Sequence, residues 1–551
     1  MVSLFNALNI SSNALTVNES AISVVSHNVA NMNTEGYSKQ RVNLATRNIA
    51  GAIGDNVYNQ IRANGGVMIA NVTRYNDAYL NSYYRDQLSA LKQYEEELGS
   101  LQDLADLFND LDGEGITGAL ESFYEAVNNL QEYPASSTAR VNFIENAKTL
   151  TAALNAKDKQ LQELGSKALG DGESLEALKN SKIYSQFEIF NDKLEELAEI
   201  NKALAVTQTG TLEANNLLDK RDMVLNDIAE FVEINIEEKH NGSVDLYVGG
   251  IAMVKGSIVT GELELQTAKQ YVEANPTEFP NGYPADWIVR DENGDPVLDA
   301  NRQPKQREAA VISIVNNSSG NREMVVADAN SVITSGALGG MLHSTDLNAD
   351  GQNLGKAQET LNNISLAIAN LFNDLNTRNG AYHINPNDSG ELSDANKVDI
   401  FVSADGNGIG AGNISINSEL LSDDGCWLLA CAYFDDPTNN FDIHAVGNGQ
   451  NAAAMLGTRN EKVGILDNMS IEDCYSSLLG KIAAGGSNGQ ALVDTQQDVV
   501  DSIYNQIKSN NSVDLNEELV DLVKYQTAYS AAAQVFNTCN SCLDVLMSLG
   551  G

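Results

Sequence analysis

The sequence predicts a mostly α-helical chain with inserted β structure: terminal helices that pair as a coiled coil, a helical bundle body and a β-rich outer domain. Three observations predict it. Prolines number only 8 in 551 residues, well under a usual level of about 5%, so long helices run unbroken. Apolar residues recur at alternating steps of three and four at both ends and through much of the interior, the spacing that lays a stripe along one helix face. Near residue 232 the period changes to strict alternation, the mark of half-buried strands.

The first segment places Leu4, Leu8, Leu15, Ile22, Val25 and Val29 on one stripe, with Ser11 and Asn18 filling two of its positions. The last places Leu522, Tyr525, Tyr529, Ala532, Phe536, Cys539, Leu543 and Leu546 on another. The first helix is expected to stop near residues 33–36, with Gly36 taking the left-handed conformation that ends helices. Each helix would be about 40–45 Å long at 1.5 Å per residue.

Charge sets these ends apart. The chain carries 75 acidic against 34 basic side chains, a formal −41. Yet residues 1–34 contain one charged side chain, Glu19, and residues 522–551 contain two, Lys524 and Asp544. An ordinary surface helix shows Lys and Glu opposite its stripe, whereas these show Ser, Asn, Thr and Gln. Both faces therefore read as surfaces for burial against protein.

Between the ends lies a mixed segment to about residue 80. A helix follows, marked by Leu88, Leu91, Leu98, Leu101, Ala105 and Phe108; a long one by Ile183, Phe187, Phe190, Leu194, Leu197 and Leu204; and the next by Leu217, Val224, Ile228 and Phe231. Val244, Leu246 and Val248 then alternate, with further strands at residues 311–315 and 324–326 and a Pro-bearing loop at 276–304. Helix returns at Leu361, Ile364, Ile368, Leu371 and Leu375; a Gly/Asn/Asp-rich stretch spans about 379–450, and a helical tail runs from Cys474. The expected organisation is nested: residues 1–40 and 510–551 as a terminal coiled-coil assembly domain, 41–235 and 331–509 as a mainly helical body (380–445 part β), and 236–330 as a β-rich outer domain.

The acidic balance excludes some partners. Such a surface repels phosphate backbones and anionic lipid, so neither nucleic acid nor membrane is expected. No segment reaches the roughly 18 consecutive apolar residues of a membrane span, and the first residues lack the basic and apolar runs of a cleavable signal peptide. Five cysteines are too few for a disulfide framework.

Short motifs carry the rest. Asn28, Ala30, Asn31, Thr34, Gly36 and Tyr37 fall in a stretch running from Asn28 to Ser38 that resembles the N-terminal motif of flagellar rod, hook and hook-associated proteins. Residues 513–518 with Tyr525-Gln526-Thr527-Ala528-Tyr529 resemble the C-terminal motif of that axial protein family. Three interior stretches resemble its hook-associated junction members: 218–222 leading to 242–250, 335–342, and 448–452. The resemblance covers roughly residues 1–260, 330–376 and 446–551.

The resemblance implies a structural subunit at the junction between hook and filament, or, alternatively, another axial component such as a hook or distal rod protein. It implies export through the flagellar type III apparatus to an extracellular site. It implies terminal helices that become ordered on assembly, a ring-like homo-oligomer beside hook protein and a second hook-associated junction protein, and an export chaperone on the C-terminal helix. On this reading the assembly interface consists of Leu4, Leu8, Leu15, Ile22, Val29, Asn28, Ala30, Asn31, Thr34, Gly36, Tyr37, Leu522, Tyr525, Tyr529, Phe536, Leu543 and Leu546.

Catalytic and metal chemistry find little support. Asp346, Asn348, Asp350 and Gly351 open like a calcium loop, but its twelfth position is Ala357 and Glu359 lies two residues beyond. Cys539 and Cys542 have redox or metal spacing, without a second pair nearby; they read as buried thiols packing as small hydrophobes. His27, His240, His343, His383 and His444 are scattered, and His27 reads as a packed or hydrogen-bonding helix residue. No nucleophile elbow, P-loop or dinucleotide fingerprint occurs in a strand–turn–helix context. No cofactor, no metal and no catalytic residue is expected; a secreted enzyme on an axial scaffold would have to hide its site in residues 380–445.

Overall fold

The computed structural model describes residues 2–48, 64–109, 115–170, 178–267, 272–273, 310–316, 323–326, 332–344, 351–384, 391–435 and 441–548. The Pro-bearing segment 276–304 and the calcium-like Asp346, Asn348 and Asp350 lie outside the described residues.

Helix α1 (Val2–Ala30) leads into a hairpin of β1 (Gln40–Asn48) and β2 (Asn64–Arg74), antiparallel with Val42 opposite Val72 and a register shift after Asn43. Helices α2 (Ala78–Leu107), α3 (Gly115–Glu132), α4 (Ser137–Leu169), α5 (Lys182–Val206) and α6 (Leu212–Phe231) follow. The starts of α2, α4, α5 and α6 are fixed by short polar side chains: Asp77, Ser136, Ser181 and Thr211 each accept from backbone N–H groups of the first turn, satisfying donors the helix cannot.

The alternation past residue 232 is a sheet in the order β3 (Asn235–Glu238), β4 (Val244–Val248), β5 (Ile251–Lys255), β6 (Ile258–Val259), beside a second of β7 (Gly261–Thr267), β8 (Ala310–Asn316) and β9 (Glu323–Val326). Val244, Leu246 and Val248 share one apolar cluster with Phe187, Phe190 and Leu194 of α5 and with α6. Two asparagines of α5 fix the register. Asn191 pairs with both backbone groups of Leu263, and Asn201 with both of Val244, at 2.8–3.0 Å.

Next come α7 (Gly336–His343), packed on α2, and α8 (Leu354–Thr377). A Cβ on Gly340 would stand 2.6 Å from the Gln93 carbonyl oxygen, so only glycine lets α7 lie this close to α2. Two small sheets follow, β11–β10–β14 (Leu392–Ser393, Ala381–Ile384, Ala432–Tyr433) and β12–β13 (Phe401–Ser403, Ile414–Ile416). They are anchored by amides: Asn373 pairs with the backbone of Ile400 and Phe401, and Asn376 with Val398 and Ala430. Fully buried Asn451, in helix α9 (Gln450–Gly457), donates to the Leu375 and Ala430 carbonyls. Phe123, Phe143, Phe372 and Phe401 cluster at the centre of this core, with centroids 5.0–6.3 Å apart.

The tail is two helices. α10 (Ile471–Asn511) runs along α2, and α11 (Leu515–Ser548) follows a break at residues 512–514. Asp514 Oδ1 accepts from the N–H groups of Asn516 (2.8 Å) and Glu517 (3.3 Å), and so starts α11 afresh.

Candidate assembly site at the paired termini

α1 and α11 pack side by side. Asn28 meets Glu518 while Ala21 and Val24 meet Tyr525, so the pair is antiparallel. Leu4, Leu8, Leu15, Ile22 and Val29 are half-buried, as are Leu522, Tyr525, Phe536 and Leu543; Tyr529 and Leu546 are exposed. The deepest positions of α1 are Ser11, Val17, Ala21, Val24, Val25 and Asn28. Most of these sit beside the leucine row rather than on it. The reason is a second partner: Val42 and Val72 of the hairpin pack against Ala21 and Val24, so α1 buries two sides, one on α11 and one on β1–β2.

The end of α1 differs from expectation. The helix closes at Ala30, where the Asn31 side chain donates to the His27 carbonyl oxygen at 3.0 Å. Gly36 does take a left-handed φ of +73°, but in the turn into β1, six residues after the helix end. A Cβ there would also meet the Met223 thioether. Ala30, Thr34 and Gly36 are exposed; Thr34 Oγ1 donates to Asn31 Oδ1 at 3.3 Å, closing the turn.

Asn28 organises the centre of the site and is 1% exposed. Its Nδ2 donates to the Gln40 carbonyl oxygen (2.8 Å) and to Glu518 Oε2 (2.9 Å); its Oδ1 accepts from the Tyr37 hydroxyl (2.7 Å) and the Gln40 N–H (3.0 Å). All four hydrogen-bonding positions of the amide are filled. Because the Tyr37 proton goes to Asn28, His27 donates to the phenol oxygen from Nδ1 at 3.0 Å. Burial, with the charges of Asp219 and Glu518, pushes the Tyr37 phenol above its ordinary range, so it stays a donor. Lys39 bridges to Glu517 (2.6 Å) and Glu518 (3.2 Å). Burial disfavours its charge, but those two carboxylates raise its pKa on balance. The N-terminal and C-terminal motifs thus form one hydrogen-bonded unit across 490 residues of sequence.

A second polar layer joins this unit to the body. The Ser38 N–H donates to Asp219 (3.3 Å), Gln40 exchanges amide bonds with Asn215 and Asn216 (3.0 Å each), and Arg74 grips Asp219 (2.9 Å) and Asp222 (2.6 Å). Arg221 (2.8 Å) and Arg85 (3.4 Å) also reach Asp222. Burial alone would raise the Asp222 carboxyl; the guanidiniums of Arg74, Arg221 and Arg85 outweigh it and hold the carboxyl below the usual range. For Asp219 burial prevails over Arg74, and its pKa is raised.

Sequence reasoning missed Lys39, Gln40, Arg74, Asn215 and Asp219. A signal was present: Asp219 and Asp222 lie three apart on one helix face, and Lys39 and Arg41 follow an almost uncharged segment. On α11, Cys539 is buried but Cys542 is exposed, which corrects the expectation of two buried thiols: α1 covers a strip of α11 that takes in Cys539 and stops short of Cys542. Among the described residues no group of three or more His, Cys, Asp or Glu side chains could hold a metal ion, and no helix is long and apolar enough to cross a membrane.

The chain divides into a helical body and two ends that return to fold as one unit. Three family matches follow that division: "Flagella basal body rod protein" over residues 8–37, "Flagellar hook-associated protein FlgK helical domain" over 101–282, and "Flagellar basal body rod FlgEFG protein C-terminal" over 509–549. The chain is 24% identical to flagellar hook-associated protein 1 of Bacillus subtilis, covering 100% of both chains. It is 22% identical to that of Salmonella typhimurium and 21% to that of Escherichia coli, each over 98% of this chain and 99% of the relative. The flagellar hook junction protein FlgK from Burkholderia pseudomallei shares the fold, with a TM-score of 0.52 at 13% identity over 79% of this chain and 100% of that one. Over almost its whole length the chain is thus similar to the flagellar hook-associated protein 1 of these bacteria.

Proposed function

We propose that this chain is a structural subunit of the bacterial flagellum at the junction between hook and filament, assembled through its terminal helices and carrying out no catalysis. The observation that carries the reading is α11. It pairs with α1 along one side only, and it leaves Val520, Val523, Val535 and Val545 50–68% exposed on a helix with few charges. Such a surface is costly in water and suited to burial by neighbouring molecules.

Assembly follows from this. An isolated amphipathic helix is marginal and gains its stability from packing, so the terminal pair is completed when sister copies cover its outer face in a ring. In this reading Leu4, Leu8, Leu15, Ile22, Val29, Leu522, Tyr525, Tyr529, Phe536, Leu543 and Leu546 form a strip shared between the α1–α11 pair and those copies. Asn28, Ala30, Asn31, Thr34, Gly36 and Tyr37 set the turn that holds it against the body. Hook protein and a second hook-associated junction protein are the axial neighbours. Export through the flagellar type III apparatus, with a chaperone on the C-terminal helix, would keep the strip covered until the chain reaches the extracellular tip.

Immunogold labelling of isolated flagella tests this. A single narrow band where hook meets filament is the expected result; label along the length of the hook or confined to the rod would favour the other axial role instead.

A further inference from the structure

The hairpin departs from the charge of the chain. Residues 37–76 hold five basic side chains, Lys39, Arg41, Arg47, Arg62 and Arg74, against one acidic, Asp55, while the other 511 residues carry a formal −45. Lys39 and Arg74 are committed to the ion pairs described above. Arg41 is exposed and makes no ion pair among the described residues; it donates only to the Tyr75 hydroxyl, at 3.5 Å.

Tyr75, which Arg41 touches, begins a run of uncovered aromatics along the chain. Tyr75 and Tyr83 are each 42% exposed, and Tyr79, in the first turn of α2, is 79% exposed. Tyr79 and Tyr83 are four residues apart and share a helix face. Arginine and tyrosine are the side chains most enriched where proteins bind one another, because each offers large contact area with a polar tip. The edge is also continuous with the terminal pair, since Arg41 lies within electrostatic range of Asp521 and Tyr525 on α11.

We propose that this edge of Arg41, Tyr75, Tyr79 and Tyr83 docks against the acidic flank of a second copy of the chain. Two copies at −41 repel wherever like faces meet, so a stable contact needs a basic patch on one molecule opposite an acidic one on the next. Such a head-to-tail contact between unlike faces is also what generates a ring. The matching chemistry is present on the same chain: Glu188, Asp192, Glu195 and Glu199 are exposed on one face of α5 and make no ion pair among the described residues.

The proposal rests on the self-assembly reading, and one experiment separates the two. Tyr79→benzoylphenylalanine is made in the full-length chain, with Tyr83→benzoylphenylalanine as a second variant, and assembled flagella are irradiated. The expected product is a covalent dimer of this chain, reduced at least tenfold when Arg41→Glu is added. If the chain sits at the hook–filament boundary and neither probe yields that dimer, or each links only to a different flagellar protein, this docking face is wrong while the junction role stands. If the wild-type chain is absent from the boundary, the junction role itself falls.

Discussion

Replacing Asp222 with alanine is expected to cost about 3–5 kcal/mol of folding stability, the usual penalty for removing one partner of a buried ion pair. Asp222 is contacted by Arg74, Arg85 and Arg221, and without it three guanidiniums face one another with Asp219 as their nearest remaining buried carboxylate. Urea unfolding of the full chain, followed by far-ultraviolet circular dichroism, measures the loss; a change below about 1 kcal/mol would mean that solvent already screens the cluster. The pH dependence has a definite sign. The folded pKa of Asp222 lies below its unfolded value, about 3.9 for an aspartate. Its contribution is therefore fully present above that value and is lost as pH falls through the folded pKa. Asp222→Asn should flatten that acid limb while lowering stability at neutral pH.

The second large effect falls on assembly. Leu15→Asp and Phe536→Asp each place a carboxylate in the half-buried contact between α1 and α11. A charge that assembly shuts away from water costs several kcal/mol, more than a marginal terminal pair can absorb. Incorporation of either variant into flagella should fall to background by immunoblot. The melting of the body, whose two largest apolar clusters lie in residues 104–482, should shift by no more than about 2 °C. Normal incorporation of both variants would remove the strip from the account.

Part of this was legible in the chain alone. The long helices declared themselves through spacing, and Ile183, Phe187, Phe190, Leu194, Leu197 and Leu204 are all buried together. The terminal stripes were visible because charge is missing there. What the stripe could not show was the second partner of α1, since the hairpin brings Val42 and Val72 through strands whose alternation is broken at a register shift. The polar architecture was harder still. Asn28, Asn191, Asn201, Asn373, Asn376 and Asn451 each pair with backbone groups distant in sequence. An asparagine in a sequence reads as a turn or a solvated position, and only the fold reveals that these are buried or half-buried.

The site divides the same way. The stretches at 218–222 and 448–452 stood out by resemblance, but their purpose did not. Asp219 receives Ser38 from the turn before β1, both Asp219 and Asp222 receive Arg74 from β2, and Asn451 ties α8 to the small sheets. Glu518 was visible only as one acid in a motif; its place 2% exposed beneath Asn28 and Lys39 depends on two segments folding back from opposite ends of the chain.

Deleting residues 515–551 tests most directly whether the ends of the chain are its assembly surface. The truncated protein should remain soluble, keep the cooperative melting of its body, and be missing from the hook–filament boundary of flagella from cells that express it alone. A truncated chain that still joined hook to filament would contradict the claim outright.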